Sequence, residues 1–220
     1  MRLRNIPGAE DMLREYPTYV YQPLEHKGKW RNLFGNQNPI HVEIGSGKGR
    51  FINTLAARHP EINYIAIELK DEVLLRTAQR TEYKEIPNLK LVQFDASKIT
   101  ELFEQNELDR IYLNFSDPWP KTRHAKRRLT HYTFLNSYRE VLKPTGEIHL
   151  KTDNESLFEY SLNQFANEHF QLRNITFNLH QSKQAENNVM TEYEEKFSNR
   201  GQQIFRTEAG CSFNPVESAN

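Results

Sequence analysis

The run Ile40-His41-Val42-Glu43-Ile44, the turn Gly45-Ser46-Gly47-Lys48-Gly49 and the helix-spaced residues 50–57 constrain this chain more than any other stretch. A β-branched run, a glycine turn and an amphipathic run in that order read as the opening of a βαβ unit. The alternation then repeats. Residues 63–68 read as a second strand, and residues 71–78 open a helix with acids in its first turn. Strands are predicted at 89–94 and 111–115, flanking a helical stretch at 99–103. A helix over 135–142 is predicted to stop at Lys143-Pro144-Thr145-Gly146, with a fifth strand over 147–153. Residues 157–165 read as helical, and 175–179 and 203–206 as β-like. Strands alternating with helices across short connections predict an α/β fold with a mostly parallel sheet covered on both faces. The last two β-like segments predict an antiparallel hairpin at one edge.

The 220 residues hold one domain of this kind with short terminal additions. The expected division is an N-terminal extension (1–37), the main domain (38–211) and a frayed tail (212–220). No apolar run has the roughly 20 residues of a membrane span, and the N-terminus lacks a secretory signal, so a cytoplasmic protein is expected. The one cysteine, Cys211, closes no intrachain disulfide, and no Cys/His ligand cluster predicts a metal. Lys plus Arg, 29, balances Asp plus Glu, 29, so no global charge announces a polyanion partner. The local distribution differs: Lys121, Arg123, Lys126, Arg127 and Arg128 put five cations into eight residues.

In a sheet of this type ligands bind beyond the strand ends. Acids stand at or near all five: Glu43, Glu68, Asp95, Asp117 and Asp153. Gly45, Gly47 and Gly49 allow a tight turn and close backbone approach. Glu68 follows the glycines at the distance from which an acid reaches a ribose. The G-x-G-x-G spacing and Glu43, two residues before Gly45, suit a dinucleotide pyrophosphate poorly. They suit S-adenosylmethionine, whose sulfonium and ammonium are cationic. Each acid also has a plainer reading, since Asp95 and Asp153 could simply cap the helices that follow.

After the fourth strand comes Phe115-Ser116-Asp117-Pro118-Trp119-Pro120-Lys121-Thr122-Arg123-His124. Its prolines stiffen the loop that carries Asp117, and Trp119 offers a ring for base stacking. The adjoining cations favour phosphate contact over a merely solvated face. With this loop, Glu43 to Gly49, Lys126 to Arg128, Thr191-Glu192-Tyr193-Glu194, Phe197 and Gly201, the chain resembles the bacterial tRNA (guanine-N7-)-methyltransferases over nearly its whole length, from about Ile40 to Arg206. The resemblance implies a Rossmann-like class I fold using S-adenosyl-L-methionine. It implies that Glu43, Gly45, Gly47, Glu68, Asp95 and Asp117 line the cofactor site. It further implies that Lys121, Asp153, Thr191, Glu192, Tyr193 and Glu194 contact the substrate, guanosine 46 in the variable loop of tRNA, to form 7-methylguanosine. A homodimer stays open.

Guanine N7 carries a lone pair and no proton, so positioning rather than a strong base is the expected need. Asp117 is the candidate to stabilise the cationic product, with Asp153 or Glu194 available for the guanine edge. Arg123, Lys126, Arg127 and Arg128, with the basic N-terminal extension, are expected on RNA phosphates. Cys211 lies far from any strand-end loop, which disfavours cytosine C5 chemistry. Asp117-Pro118-Trp119-Pro120 only approximates the loop of exocyclic-amine methyltransferases, the nearest alternative. An RNA-binding module without catalysis would not need the acids, and a small-molecule methyltransferase would not need the basic segment.

Overall fold

The computed structural model describes residues 6–81 and 86–212. Two short helices, α1 (Ala9–Arg14) and α2 (Trp30–Phe34), precede β1 (Ile40–Ile44), α3 (Arg50–Arg58), β2 (Asn63–Glu68), α4 (Asp71–Thr81) and β3 (Leu89–Gln93). There follow α5 (Ile99–Leu102), β4 (Leu108–Asn114), α6 (Tyr132–Val141), β5 (Leu142–Thr152), α7 (Glu155–Asn167), β6 (Gln171–Thr176), α8 (Glu192–Ser198) and β7 (Phe205–Gly210). The seven strands form one sheet in the order β3-β2-β1-β4-β5-β7-β6. The first five are parallel, and β7 and β6 are antiparallel to their neighbours. The α/β reading and the antiparallel C-terminal edge are therefore observed. Because the order reverses beside β1, the chain leaves β1 and β4 in opposite directions, which opens a crevice at their C-terminal ends.

One face of the sheet packs Ile40, Val42, Ile44, Ile111, Leu113, Ile148 and Leu150 against Leu135, Tyr138, Phe158 and Phe165. The other packs Tyr64, Ala66, Leu89 and Leu91 against Leu13, Phe51, Ile52, Leu74 and Ala78. Strands buried on both faces read as continuous apolar runs, which is why β1 to β3 stand out in the sequence.

Three elements differ from expectation. The stretch Lys143-Pro144-Thr145-Gly146 lies inside β5, not before it: Leu108 pairs with Leu142 and Arg110 with Glu147, so the extra residues bulge out. The sixth strand lies earlier than its apolar residues suggested, over Gln171–Thr176, with Ile175 and Phe177 exposed. Asn174, at φ 52°, breaks its register there.

The third difference is the N-terminal segment, which within residues 6–37 packs as part of the domain. Ala9 and Leu13 are buried, Val20 N donates to Leu91 O (2.9 Å) and Leu91 N to Thr18 O (2.8 Å), so residues 18–20 cover the β3 edge. Trp30 is fully buried and its Nε1 donates to Leu102 O at 3.0 Å. Three of its expected phosphate cations are engaged, Arg14 with Glu10, Lys27 with Thr100 O and Arg31 with Asp109, while Lys29 is exposed. Arg2 and Arg4 lie outside the described residues, as does the expected tail from 213 onward.

Candidate active site

The glycine turn is built by the strands beside it. Gly45 N and Ser46 N both donate to Ile67 O, at 2.8 and 3.1 Å, which curls the chain over the end of β2. Gly47 N then donates to Glu68 Oε2 at 3.1 Å, and Glu68 Oε1 accepts from Leu69 N at 2.8 Å. Burial pushes the Glu68 carboxyl up, against the pull of these amides. Gly49 caps α3 at φ +76°, and a Cβ there would come within 2.8 Å of both Thr77 Cβ and Asn53 Nδ2. A Cβ on Gly45, by contrast, would meet nothing within 4 Å, because that residue faces open space.

That space is a cleft of about 340 Å³ lined by Glu43, Gly45, Gly47, Phe115, Thr191 and Tyr193 among others. Glu43 forms its floor. It is 2% exposed, its Oε1 accepts from Asn114 Nδ2 at 2.8 Å, and its buried Oε2 has no partner. Burial pushes its carboxyl up to about 8, with only partial relief from Asn114 and the Lys151 charge. A buried carboxyl with one free oxygen fits a cationic ligand, which favours its ionised form, and gains nothing from a phosphate. The acid floor and the open glycine turn therefore fit S-adenosylmethionine.

The sheet order sets the remaining acids along the same edge: Asp95 after β3, Glu68 on β2, then Asp117 after β4 and Asp153 after β5. Asp95 is exposed and caps the turn that follows, accepting from Ser97 N at 2.9 Å. Asp117 is exposed on a loop whose backbone is held out of its preferred conformations, with Phe115 at φ 52° and Trp119 at φ 42°. Arg128 holds it there: Nε donates to Pro118 O at 3.1 Å and Nη2 to Trp119 O at 3.0 Å. The Arg128 guanidinium also lies over the Tyr160 ring at 4.3 Å. Trp119, read from sequence as a stacking platform, instead packs beneath Arg127 (4.8 Å) and edge-on to His124 (5.7 Å).

The segment 191–194 begins α8. Thr191 caps it in a reciprocal box with Glu194. Tyr193 packs between Phe115 and Phe197 at 5.1 and 4.2 Å and donates its hydroxyl to Asp153 Oδ2 at 3.0 Å. Burial and the neighbouring Asp153 push the Tyr193 phenol up to about 12. Asp153 also accepts from Gln202 Nε2 at 3.1 Å. Glu192 pairs with Lys48 (3.8 Å) and Arg80, and Glu195 with Arg50, so ion pairs fasten α8 across the glycine turn.

Glu194 differs from its neighbours. It is fully buried, and its carboxylate accepts from Lys151 Nζ at 2.7 Å and Asn188 Nδ2 at 2.6 Å. Its oxygens are turned into the fold, where they tie α8 to the end of β5. Lys151 and Asn114 escaped the sequence reading, although a lysine and an asparagine at the C-terminal ends of β5 and β4 were the available signal.

The basic segment divides in two. Lys121, Arg123, Lys126 and Arg127 are exposed, whereas Arg128 is half-buried in the loop clamp. Replacing Arg123 and Lys126 by Ala should raise KM for tRNA and flatten the salt dependence of binding by about 0.7 to 0.9 log units per charge. Replacing Arg128 by Ala should instead lower kcat and leave the salt slope nearly unchanged. Titrating tRNA across a salt series for both variants separates the roles, and equal slopes would show that Arg128 also meets phosphate.

Residues 37–207 match the family described as "Putative methyltransferase". The chain is 74% identical over 211 residues to a tRNA (guanine-N(7)-)-methyltransferase of Brevibacillus brevis, covering 96% of this chain and 99% of that one. It is 53% identical over 210 residues to the enzyme of the same name from Streptococcus pneumoniae, covering 95% and 99%. Among solved structures, an antibiotic-related methyltransferase superposes with a TM-score of 0.62 at 18% identity, covering 83% of this chain and 92% of that one. The 16S rRNA methyltransferase KamB superposes with a TM-score of 0.63 at 11% identity, covering 86% and 94%. At such identities the structural likeness is one of fold, that of class I methyltransferases.

Proposed function

The chain belongs to the tRNA (guanine-N(7)-)-methyltransferase family, and from that premise we propose that it methylates N7 of guanosine 46 in the tRNA variable loop, with S-adenosylmethionine as donor. The observation that carries the donor is the unpartnered, buried Glu43 oxygen beneath an open glycine turn. The sequence of the Phe115 to His124 loop supports the site on the RNA.

When bound, S-adenosylmethionine supplies a methyl group on a positively charged sulfur. Glu43 offers its carboxylate to a ligand cation at the cleft floor, and Glu68 stands at the next strand end, where ribose hydroxyls would find an acceptor. Guanine N7 needs no proton removed, so the loop's work is alignment. Holding two reactants in line is worth roughly 7 to 11 kcal/mol of the barrier. Asp117, fixed by the Arg128 clamp, faces the positive charge that grows on the purine as N7 becomes quaternary. Asp153, oriented by Tyr193 and Gln202, keeps further lone pairs for the N–H edge of the base. Glu194 supports this arrangement from behind through Lys151, rather than touching the guanine. Lys121 contacts the substrate beside this loop, and Arg123, Lys126 and Arg127 meet phosphates, which offsets the few kcal/mol needed to unstack the base.

The test is incubation with methyl-labelled S-adenosylmethionine and unmodified tRNA transcript, followed by nucleoside analysis and mapping. Labelled 7-methylguanosine from position 46 is expected. Label at another guanosine would refute the position, and label on an exocyclic amine would refute the N7 reading.

A further inference from the structure

Beside the cofactor cleft lies a second and larger cavity, about 620 Å³, that none of the chemistry above uses. Its origin is legible in the strands. Arg110, Tyr112 and Asn114 on β4 alternate with Ile111 and Leu113, and Glu147, His149 and Lys151 on β5 alternate with Ile148 and Leu150. A parallel sheet packed by helices on both faces shows no such alternation. Here the apolar set meets α6 and α7, while the polar set lines the cavity together with Lys183, Gln184, Asn187, Asn188 and Val189. Phe51 and Asn114 line both this cavity and the cofactor cleft, so the two adjoin.

The polar set is organised around two carboxylates. Glu147 pairs with Arg110, with Arg173 (2.8 Å) and with His149 (2.8 Å). Glu208 pairs with Arg173 (2.9 Å) and Arg206, and accepts from Asn174 at 2.8 Å. Ligand atoms of Glu147, His149 and Glu208 lie within 4.8 Å of one another, the geometry of a cation site. The guanidiniums already on both carboxylates exclude that use. The balance runs the other way. Among the described residues that line it, the cavity carries Arg110, Arg173, Arg206 and Lys183 against two carboxylates, Glu147 and Glu208, while Lys151 is neutralised by Glu194. The cluster is also short of acceptors: Arg110 Nε and Arg206 Nη1 are buried without one.

The lining also includes an apolar wall, Phe51, Leu55 and Ile62, and an amide rim, the carboxamides of Gln184 and Asn187 beside the exposed Lys183. Cations for an anion, an apolar wall for a flat body and amides for its polar edge are the three elements of nucleotide recognition. The volume falls within the range of small-molecule sites. We propose that this cavity is a second, non-catalytic binding site for a nucleotide, with its phosphate toward Arg110 and Arg206 and its base between the apolar wall and the amide rim. The nucleotide is either free or a residue of the bound RNA, and the same chemistry serves both.

The experiment uses the full chain saturated with S-adenosylhomocysteine, so that the cofactor cleft is filled, and titrates adenosine monophosphate calorimetrically. For a free nucleotide, binding is expected to weaken at least about tenfold in Lys183→Glu and Arg206→Gln and to hold in Arg123→Ala. Lys183 and Asn187 are exposed, so their variants keep the test valid if Arg206→Gln does not fold. For a residue of the RNA, adenosine monophosphate does not bind. Instead KM for tRNA rises in Lys183→Glu and in the charge-neutral Asn187→Ala, with kcat and cofactor affinity unchanged. Binding that is indifferent to these substitutions, or no binding together with an unchanged KM, overturns the proposal.

Discussion

Replacing Asp117 by Ala is expected to lower kcat by about two to three orders of magnitude, the usual cost of removing a group aimed at developing charge. Affinity for the methyl donor should change far less, because the cleft of Glu43 and the glycine turn does not include this side chain. The contrast matters more than the loss. A carboxylate that stabilises charge in the transition state acts on kcat and kcat/KM alike, whereas one that merely binds RNA acts on KM. Single-turnover rates at saturating tRNA measure the difference, and a normal rate would remove Asp117 from the chemistry. Asn at this position should recover little, since an amide of the same shape carries no charge.

The second large effect is a proton linked to donor binding. Glu43 is pushed up to about 8 by burial, so at neutral pH it is mostly protonated in the ligand-free protein. A cation in the cleft favours its ionised form. Binding of S-adenosylmethionine near neutral pH should therefore release close to one proton. Affinity should rise on the order of tenfold per pH unit until pH passes about 8. Calorimetry in two buffers of different ionisation enthalpy counts that proton. Glu43→Gln should release none and bind the donor at least about tenfold more weakly. Stability moves the opposite way. Below about 4.5 the group is protonated whether folded or unfolded, and above it the unfolded chain ionises first. The ligand-free protein thus loses stability to this residue as pH rises from about 4.5 to 8, and Glu43→Gln does not. Proton release that survives the substitution would move the linkage to another group.

The parts of this molecule that were legible in its sequence are those whose partners are close along the chain. The glycine turn, its flanking strands and the acids after them announce themselves because each βα step is a local pattern. The unread parts depend on partners far along the chain. Nothing near Arg128 says that its donors are taken by Pro118 and Trp119 carbonyls, so it read like the cations beside it. Glu194 belongs to a run of acids whose neighbours Glu192 and Glu195 pair with cations nearer the surface, yet Lys151, Asn188 and the cap of α8 draw it inward. The β6 strand lies earlier than its sequence suggests because Ile175 and Phe177 face solvent, whereas the pairing residues include Gln171, Leu172 and Arg173. The charged cluster of Glu147, His149 and Glu208 exists only once β5 and β7 lie side by side.

The burial of Trp30 also sets an order of assembly during synthesis. Its indole donates to a carbonyl 72 residues further on, and its amide to a carboxylate 77 residues further on. A ribosome adding about 5 to 20 residues per second needs several seconds to reach Leu102 and Glu107. For that time the first-made part of the chain holds a large apolar side chain with nowhere to go. The central strand β1 waits likewise for β4, its neighbour on one side. Slowed translation between residues 40 and 107 lengthens that exposure.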